Sequence, residues 1–202
     1  GYGLFSPNTN YAHTVVSIEA ALSLLFTALA TGLTFAKFSR PGSRMIFTDN
    51  ALITQYDGRP TFMFRTGNTR SSQIVDASLK VTIALDYVSK EGVAMRRISD
   101  LKLIRNDSPL ISFTWTVMHT IDQDSPLYGL NQTDLADKNA LVIISLTGID
   151  ETFSQTIHAK HYYRHCDFVF DMHFANMVEN QDPKYQLPVI NFDAFHKLTT
   201  RN

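Results

Sequence analysis

Cysteine is almost missing from this chain. Its 202 residues include one, Cys166, so no internal disulfide can form and nothing marks an oxidising compartment. Glycine and proline are sparse, at 9 and 7, which excludes collagen-like and low-complexity chains. Net charge is nearly absent too: 18 basic and 19 acidic residues leave −1, which argues against a dedicated nucleic-acid binder. Also lacking are a nucleophile elbow, a phosphate-cradling glycine loop and a metalloprotease helix, so no enzyme is read here. A 44% hydrophobic content excludes disorder, and the length suits one domain with an appendage.

What is present first is an apolar run. Residues 20–36 contain no Asp, Glu, Lys, Arg or His, and within residues 15–36 the single charge is Glu19. As helix, such a run of 22 residues reaches about 33 Å, close to the hydrocarbon thickness of a bilayer. No Lys or Arg precedes it, whereas Lys37, Arg40 and Arg44 follow before the first acid, Asp49, so the C-terminal side is expected in the cytoplasm. A signal peptide carries its positive charge ahead of a shorter apolar stretch, the reverse of this order. A plain single-pass anchor is the other bland reading. Against it, Glu19, Ser23, Thr27 and Thr31 recur every four residues and Phe35 continues the row, a spacing that stacks side chains along a helix. Ionisable groups in a membrane usually face a bundle interior or a water-filled cavity, and one helix makes neither.

Beyond Pro41 the periodicity changes to two. Val75, Ala77, Leu79, Val81, Ile83, Leu85 and Tyr87 alternate with mostly polar residues, as do Ile111, Phe113, Trp115 and Val117, and Phe168, Phe170, Met172 and Phe174. Each stretch predicts a strand with one buried face. Residues 141–146 form a continuous apolar run, expected to be covered on both faces. Asp57-Gly58 predicts a tight hairpin turn, and residues 131–140 a short surface helix. The fold class expected is therefore mainly β, a sandwich preceded by one membrane helix. Away from Glu19 and the three basic residues after the helix, 15 basic and 18 acidic residues remain, a net −3 that favours cations where acids line a lumen.

Gly1-Tyr2-Gly3 precedes the striped helix by about a dozen residues. The segments AKFSRP (residues 36–41), DGRPTFMFRTGNTR (57–70), IVDA (74–77), Glu91-Gly92, HTIDQDSPLYGL (119–130) and FDAFHK (192–197) follow in order. Together they resemble the inward-rectifier potassium channels, most of all their prokaryotic branch. In that family backbone carbonyls of a Gly-Tyr-Gly filter replace the hydration shell of K+. The resemblance implies a homotetramer whose cytoplasmic domain is an immunoglobulin-like β-sandwich. It implies that residues 1–40 end a pore domain, that residues 41–202 form the sandwich, and that the chain starts inside the filter, with the rest of the pore encoded upstream.

By position, the resemblance makes Gly1, Tyr2 and Gly3 the second half of the filter. Glu19, Ser23, Thr27 and Thr31 become pore-lining and Phe35 the hydrophobic gate. Thr27 stands where strong rectifiers place an acid that binds intracellular Mg2+ or polyamines, so steep rectification is not expected. Lys37, Arg40 and Arg44 fall in the basic region that contacts anionic phosphoinositide-like head groups, where electrostatics alone also puts them. Gly148 to Ser154 corresponds to the loop narrowing the cytoplasmic pore, and Glu91 to its acidic lining. The resemblance implies no cofactor besides K+ as permeant ion, no nucleic acid, and a place in the cell membrane. The rival reading is a membrane-anchored sensor or interaction sandwich that conducts nothing. His158, His161, His165 and Cys166 invite a metal reading, yet strand alternation puts 158 and 161 on opposite faces and a structural zinc site wants more cysteine. Cys166 is expected to be a small buried hydrophobe and Trp115 a core residue.

Overall fold

The structure, a computed structural model, describes residues 3–4, 6–38, 44–69, 72–179 and 189–200. The chain separates into two compact units, Gly1–Gly42 and Ser43–Asn202.

The first unit is built on α1 (Asn10–Phe38), 29 residues long, or about 43 Å at 1.5 Å per residue. Thr9 caps its start, Oγ1 accepting from the Ala12 amide at 3.2 Å, a bond that satisfies one of the free N–H groups of the first turn. Leu22, Leu24, Leu25, Phe26, Leu29 and Leu33 are exposed around the helix, and the membrane-length span Asn10–Lys37 buries nothing within the chain. A helix apolar on every side needs an apolar surrounding. By length and composition this one can cross a membrane.

The second unit is a two-sheet sandwich, as its period-two stretches predict. Its strands are β1 (Met45–Phe47), β2 (Ala51–Tyr56), β3 (Arg59–Asn68), β4 (Ile74–Val88), β5 (Ala94–Asp100), β6 (Asp107–Ile111), β7 (Thr114–Thr120), β8 (Leu141–Asp150), β9 (Gln155–Arg164), β10 (Phe168–Phe170), β11 (Met172–Phe174), β12 (Val178–Glu179), β13 (Val189–Ile190) and β14 (Leu198–Thr200). The helix α2 (Gln132–Asp137) precedes β8. In one sheet β3 pairs with β1, β2 and β7, and β10 runs parallel to β2; in the other, β4 pairs with β5, β6 and β8, and β8 with β9. Phe62, Phe64 and Val117 from the first sheet meet Leu79, Val81, Val142, Ile144 and Leu146 from the second in one core. Each side chain of this kind contributes about 1.5–3 kcal/mol on burial. The C-terminal pairs β11–β14 and β12–β13 accompany a smaller core of Met177, Ala194 and Phe195.

Turn chemistry holds as read: Asp57 and Gly58 both take positive φ, 50° and 73°, and close the β2–β3 hairpin with Tyr56 opposite Arg59. That pair of angles matches the right-handed strand twist. Elsewhere strict alternation fails where the backbone breaks. On β4 the pairing with β8 shifts between Val75 and Ser78, with Asp76 at φ 49°. This bulge turns Ile74 into the core and leaves Val75 partly exposed, the reverse of the expected parity. Phe113 lies between β6 and β7 and is 54% exposed, while Ile111, Trp115 and Val117 are buried. Tyr87, beyond the core, is exposed as well. The stretch from Phe168 to Phe174 is two strands, not one, broken at Asp171 (φ 55°) and shared between two sheets. The run 141–146 alternates buried and half-buried residues, and the short helix is six residues long, capped by Asn131. Cys166, expected inside, is exposed.

Candidate functional site

The row Glu19, Ser23, Thr27, Thr31 and Phe35 lies wholly on α1, exposed along the helix. The Thr27 hydroxyl turns back to donate to the Ser23 carbonyl at 2.8 Å, one of the polar habits that make threonine tolerable in apolar helices. Residues four apart advance about 40° per step on a straight helix, so the row slants, by about 26° from the helix axis. It follows one straight line only if the helix is tilted by that much. Lys37 occupies the last turn, where a cation complements the helix dipole. Gly1, Tyr2 and Arg40 lie outside the described residues; Gly3 is exposed with φ 65°.

Arg44, exposed, enters β1; its carbonyl accepts the amide of Thr69 at 3.2 Å and the Thr69 hydroxyl at 2.8 Å. That joins the basic exit to the end of the 57–70 motif. Glu91 sits in a turn after β4, exposed, and the Ser89 hydroxyl holds its carboxyl below the usual range.

The stretch Gly148–Ser154 is not all loop. Gly148 is inside β8, opposite Ile157, and the four residues 151–154 make the turn into β9. A Cβ at 148 would stand 2.6 Å from Ile74 Cγ2, so only glycine lets β8 approach the bulged end of β4. Ser154 completes the turn at φ 49°. Asp150, 2% exposed, shapes it: Oδ1 accepts the amides of Thr152 at 2.9 Å and Phe153 at 3.2 Å, and Oδ2 accepts the Ser72 hydroxyl at 3.0 Å. Sequence reading missed Asp150, although an aspartate two residues before a turn amide is the mark of an Asx turn. Among the described residues the candidates thus lie at Gly3, on α1, at the entry of β1, at the end of β8 and in two turns.

Two motifs prove to be structural joints. His119 is 3% exposed and bonds the Lys102 carbonyl through Nδ1 and Ser125 Oγ through Nε2, each at 2.7 Å. Burial pushes its pKa below the ordinary imidazole value, against the opposite pull of the Lys102 carbonyl and Asp122. His196 of the FDAFHK segment reaches Asp49 at 3.1 Å. His158, His161 and Cys166 do not converge, and no group of three metal-ligating side chains occurs among the described residues.

The chain thus joins one helix of membrane-crossing length and composition to a two-sheet sandwich. The family model for the inward rectifier potassium channel C-terminal domain matches residues 45–202. The chain is 36% identical over 177 residues to the inward rectifier potassium channel Kirbac3.1 of Paramagnetospirillum magnetotacticum, covering 88% of this chain and 60% of that one. It is 31% identical to irk-1 of Caenorhabditis elegans, over 97% of this chain and 38% of the relative, and 26% identical to human inward rectifier potassium channel 4, over 90% and 42%. The chain belongs to the inward rectifier potassium channel family. Of these three the bacterial relative is the most similar, in keeping with the prokaryotic resemblance. The chain spans at most 60% of the length of these relatives. The family is one of channels, not enzymes, and its members are membrane proteins.

Proposed function

We propose that this chain is part of a potassium-channel subunit that passes K+ selectively and passively across the cell membrane, with residues 41–202 in the cytoplasm. The observation that carries the reading is the extent of the similarity: at 97% of this chain, the match to irk-1 includes the membrane-length helix as well as the sandwich. Four copies are required, because one chain brings a quarter of each carbonyl ring and of any gate.

In this reading Gly1, Tyr2 and Gly3 offer carbonyls to K+, Glu19, Ser23, Thr27 and Thr31 line the inner pore, and four copies of Phe35 close it by dewetting. The inclined row asks for four tilted inner helices, each turning its row toward the common axis. Lys37, Arg40 and Arg44 meet anionic, phosphoinositide-like head groups. The turn at Gly148–Ser154 narrows the cytoplasmic path and Glu91 adds negative charge along it, attracting cations. Thr27, without charge, leaves block by Mg2+ or polyamine weak. Residues 1–40 then act as the end of the pore domain, close to the geometric division after Gly42.

The test is flux. The full-length protein in liposomes is expected to take up rubidium down a K+ gradient and to be blocked by barium. Uptake equal to that of empty liposomes supports the non-conducting anchored sandwich instead.

A further inference from the structure

A cavity of about 250 Å³ opens on the outer face of the β3–β7 sheet, beside β11. Four polar residues are among those that line it: Arg65, Thr116, His173 and Tyr56. Register explains part of this lining, since Arg65 stands opposite Thr116, and Met63 opposite Met118, across the β3–β7 pair. Met63, Met118 and Phe174 supply apolar walls. The Arg65 guanidinium lies over the Phe174 ring, 4.8 Å from its centroid. A guanidinium held over a ring in this way can still donate N–H groups to a further partner.

Among the described residues nothing answers that charge. Among the described residues Arg65 has no carboxylate partner, and its Nη1 is buried without a hydrogen bond. Three other cavities among the described residues differ in one respect. One is lined by Asp100, Asp122 and Asp124, a second by Asp86 and Asp124, a third by Asp100; the Arg65 cavity carries a cation and no acid.

We infer that the Arg65 cavity is a binding site for a small organic carboxylate, whose charged end sits on Arg65 and Thr116 and whose apolar body lies against Met63, Met118 and Phe174. A planar carboxylate matches the planar donor edge of a guanidinium in bidentate fashion. The thioether and aromatic walls select against inorganic phosphate, which has no apolar part to bury. The inference rests on the sandwich unit alone and stands apart from the conduction reading.

Calorimetric titration of the detergent-purified full-length protein decides it, with sodium benzoate, inorganic phosphate and benzyl alcohol as probes. Benzoate is expected to bind once per chain, and phosphate and the uncharged alcohol at least about tenfold more weakly, the scale of one charged hydrogen bond. Arg65→Gln should weaken benzoate by about tenfold or more, and Thr116→Val by about threefold to tenfold. Among the described residues the Thr116 hydroxyl has no hydrogen-bond partner, so its variant remains informative if Arg65→Gln fails to fold. Absence of saturable benzoate binding, equal binding of phosphate or benzyl alcohol, or unchanged affinity in a folded Arg65→Gln or in Thr116→Val would overturn the assignment.

Discussion

The imidazole of His119 and the hydroxyl of Ser125 lie 2.7 Å apart, Nε2 to Oγ, both buried. Because Nδ1 faces a carbonyl, that of Lys102, it must carry the proton, and Nε2 accepts from Ser125. Ser125 Oγ in turn accepts the Leu127 amide at 3.2 Å, so one serine fixes the fold-back of the SPLYGL stretch. Ser125→Ala leaves an imidazole nitrogen and an amide without their partner and is expected to cost about 1–3 kcal/mol, read as a lowered unfolding midpoint in denaturant.

The same pair sets a pH dependence. His119 has a folded pKa depressed mainly by burial, so the fold favours its neutral form. Its contribution is intact above the unfolded pKa of about 6.5 and is lost as pH falls below that toward the folded value, where the unfolded chain binds the extra proton. His161, depressed by burial against the pull of Asp167 and Asp49, acts with the same sign. Thermal unfolding followed from about pH 8 to about pH 5 should show stability falling with acid, and a shallower fall in His119→Gln.

Gly148 and Ile74 form a second joint. With a Cβ placed 2.6 Å from Ile74 Cγ2, Gly148→Ala overpacks the contact and is expected to destabilise by about 1–3 kcal/mol. Ile74→Ala in the same chain relieves the clash, so the double variant should lose less than the sum of the two single losses; strict additivity would show that the two residues do not meet.

Asp150 ties the turn 151–154 to Ser72 through three accepted hydrogen bonds. Asp150→Ala is expected to cost about 2–3 kcal/mol and, in the conducting protein, to change the open probability while leaving K+ selectivity as it was. Single-channel records at one voltage separate the two effects. A change of selectivity would mean that the turn does more than narrow the cytoplasmic path.

Thr27→Asp places a carboxylate ring on the proposed pore lining. Block by internal Mg2+ or a polyamine should become stronger and more voltage-dependent, because opposite charges attract strongly where water is confined. Unchanged block in a conducting channel would show that Thr27 faces away from the pore.

Much of this architecture was legible in the residues themselves. The apolar run and its basic exit gave the membrane-length helix, alternation gave a sandwich, and Asp57-Gly58 gave its hairpin turn with both φ angles positive. What alternation could not give was its own interruptions. One left-handed aspartate on β4, Asp76, moves Ile74 inward, and another, Asp171, sends Phe168 and Phe174 to different sheets, because a single unusual φ reverses the parity of everything beyond it. The candidate site was legible only as a set of positions. Its row on α1 is visible in the spacing, but in the proposed channel what the row faces is made by other copies of the chain. Asp150 and the Arg65 cavity depend on side chains brought together from distant strands, which no local pattern records.

Potassium selectivity is the core of the proposed function, and it is read from the reversal potential of the full-length protein in a planar bilayer with K+ on one side and Na+ on the other. A reversal potential displaced strongly in the direction set by the K+ gradient is expected, with the current abolished by barium. A reversal potential at zero, or no current at all, would contradict the proposed function.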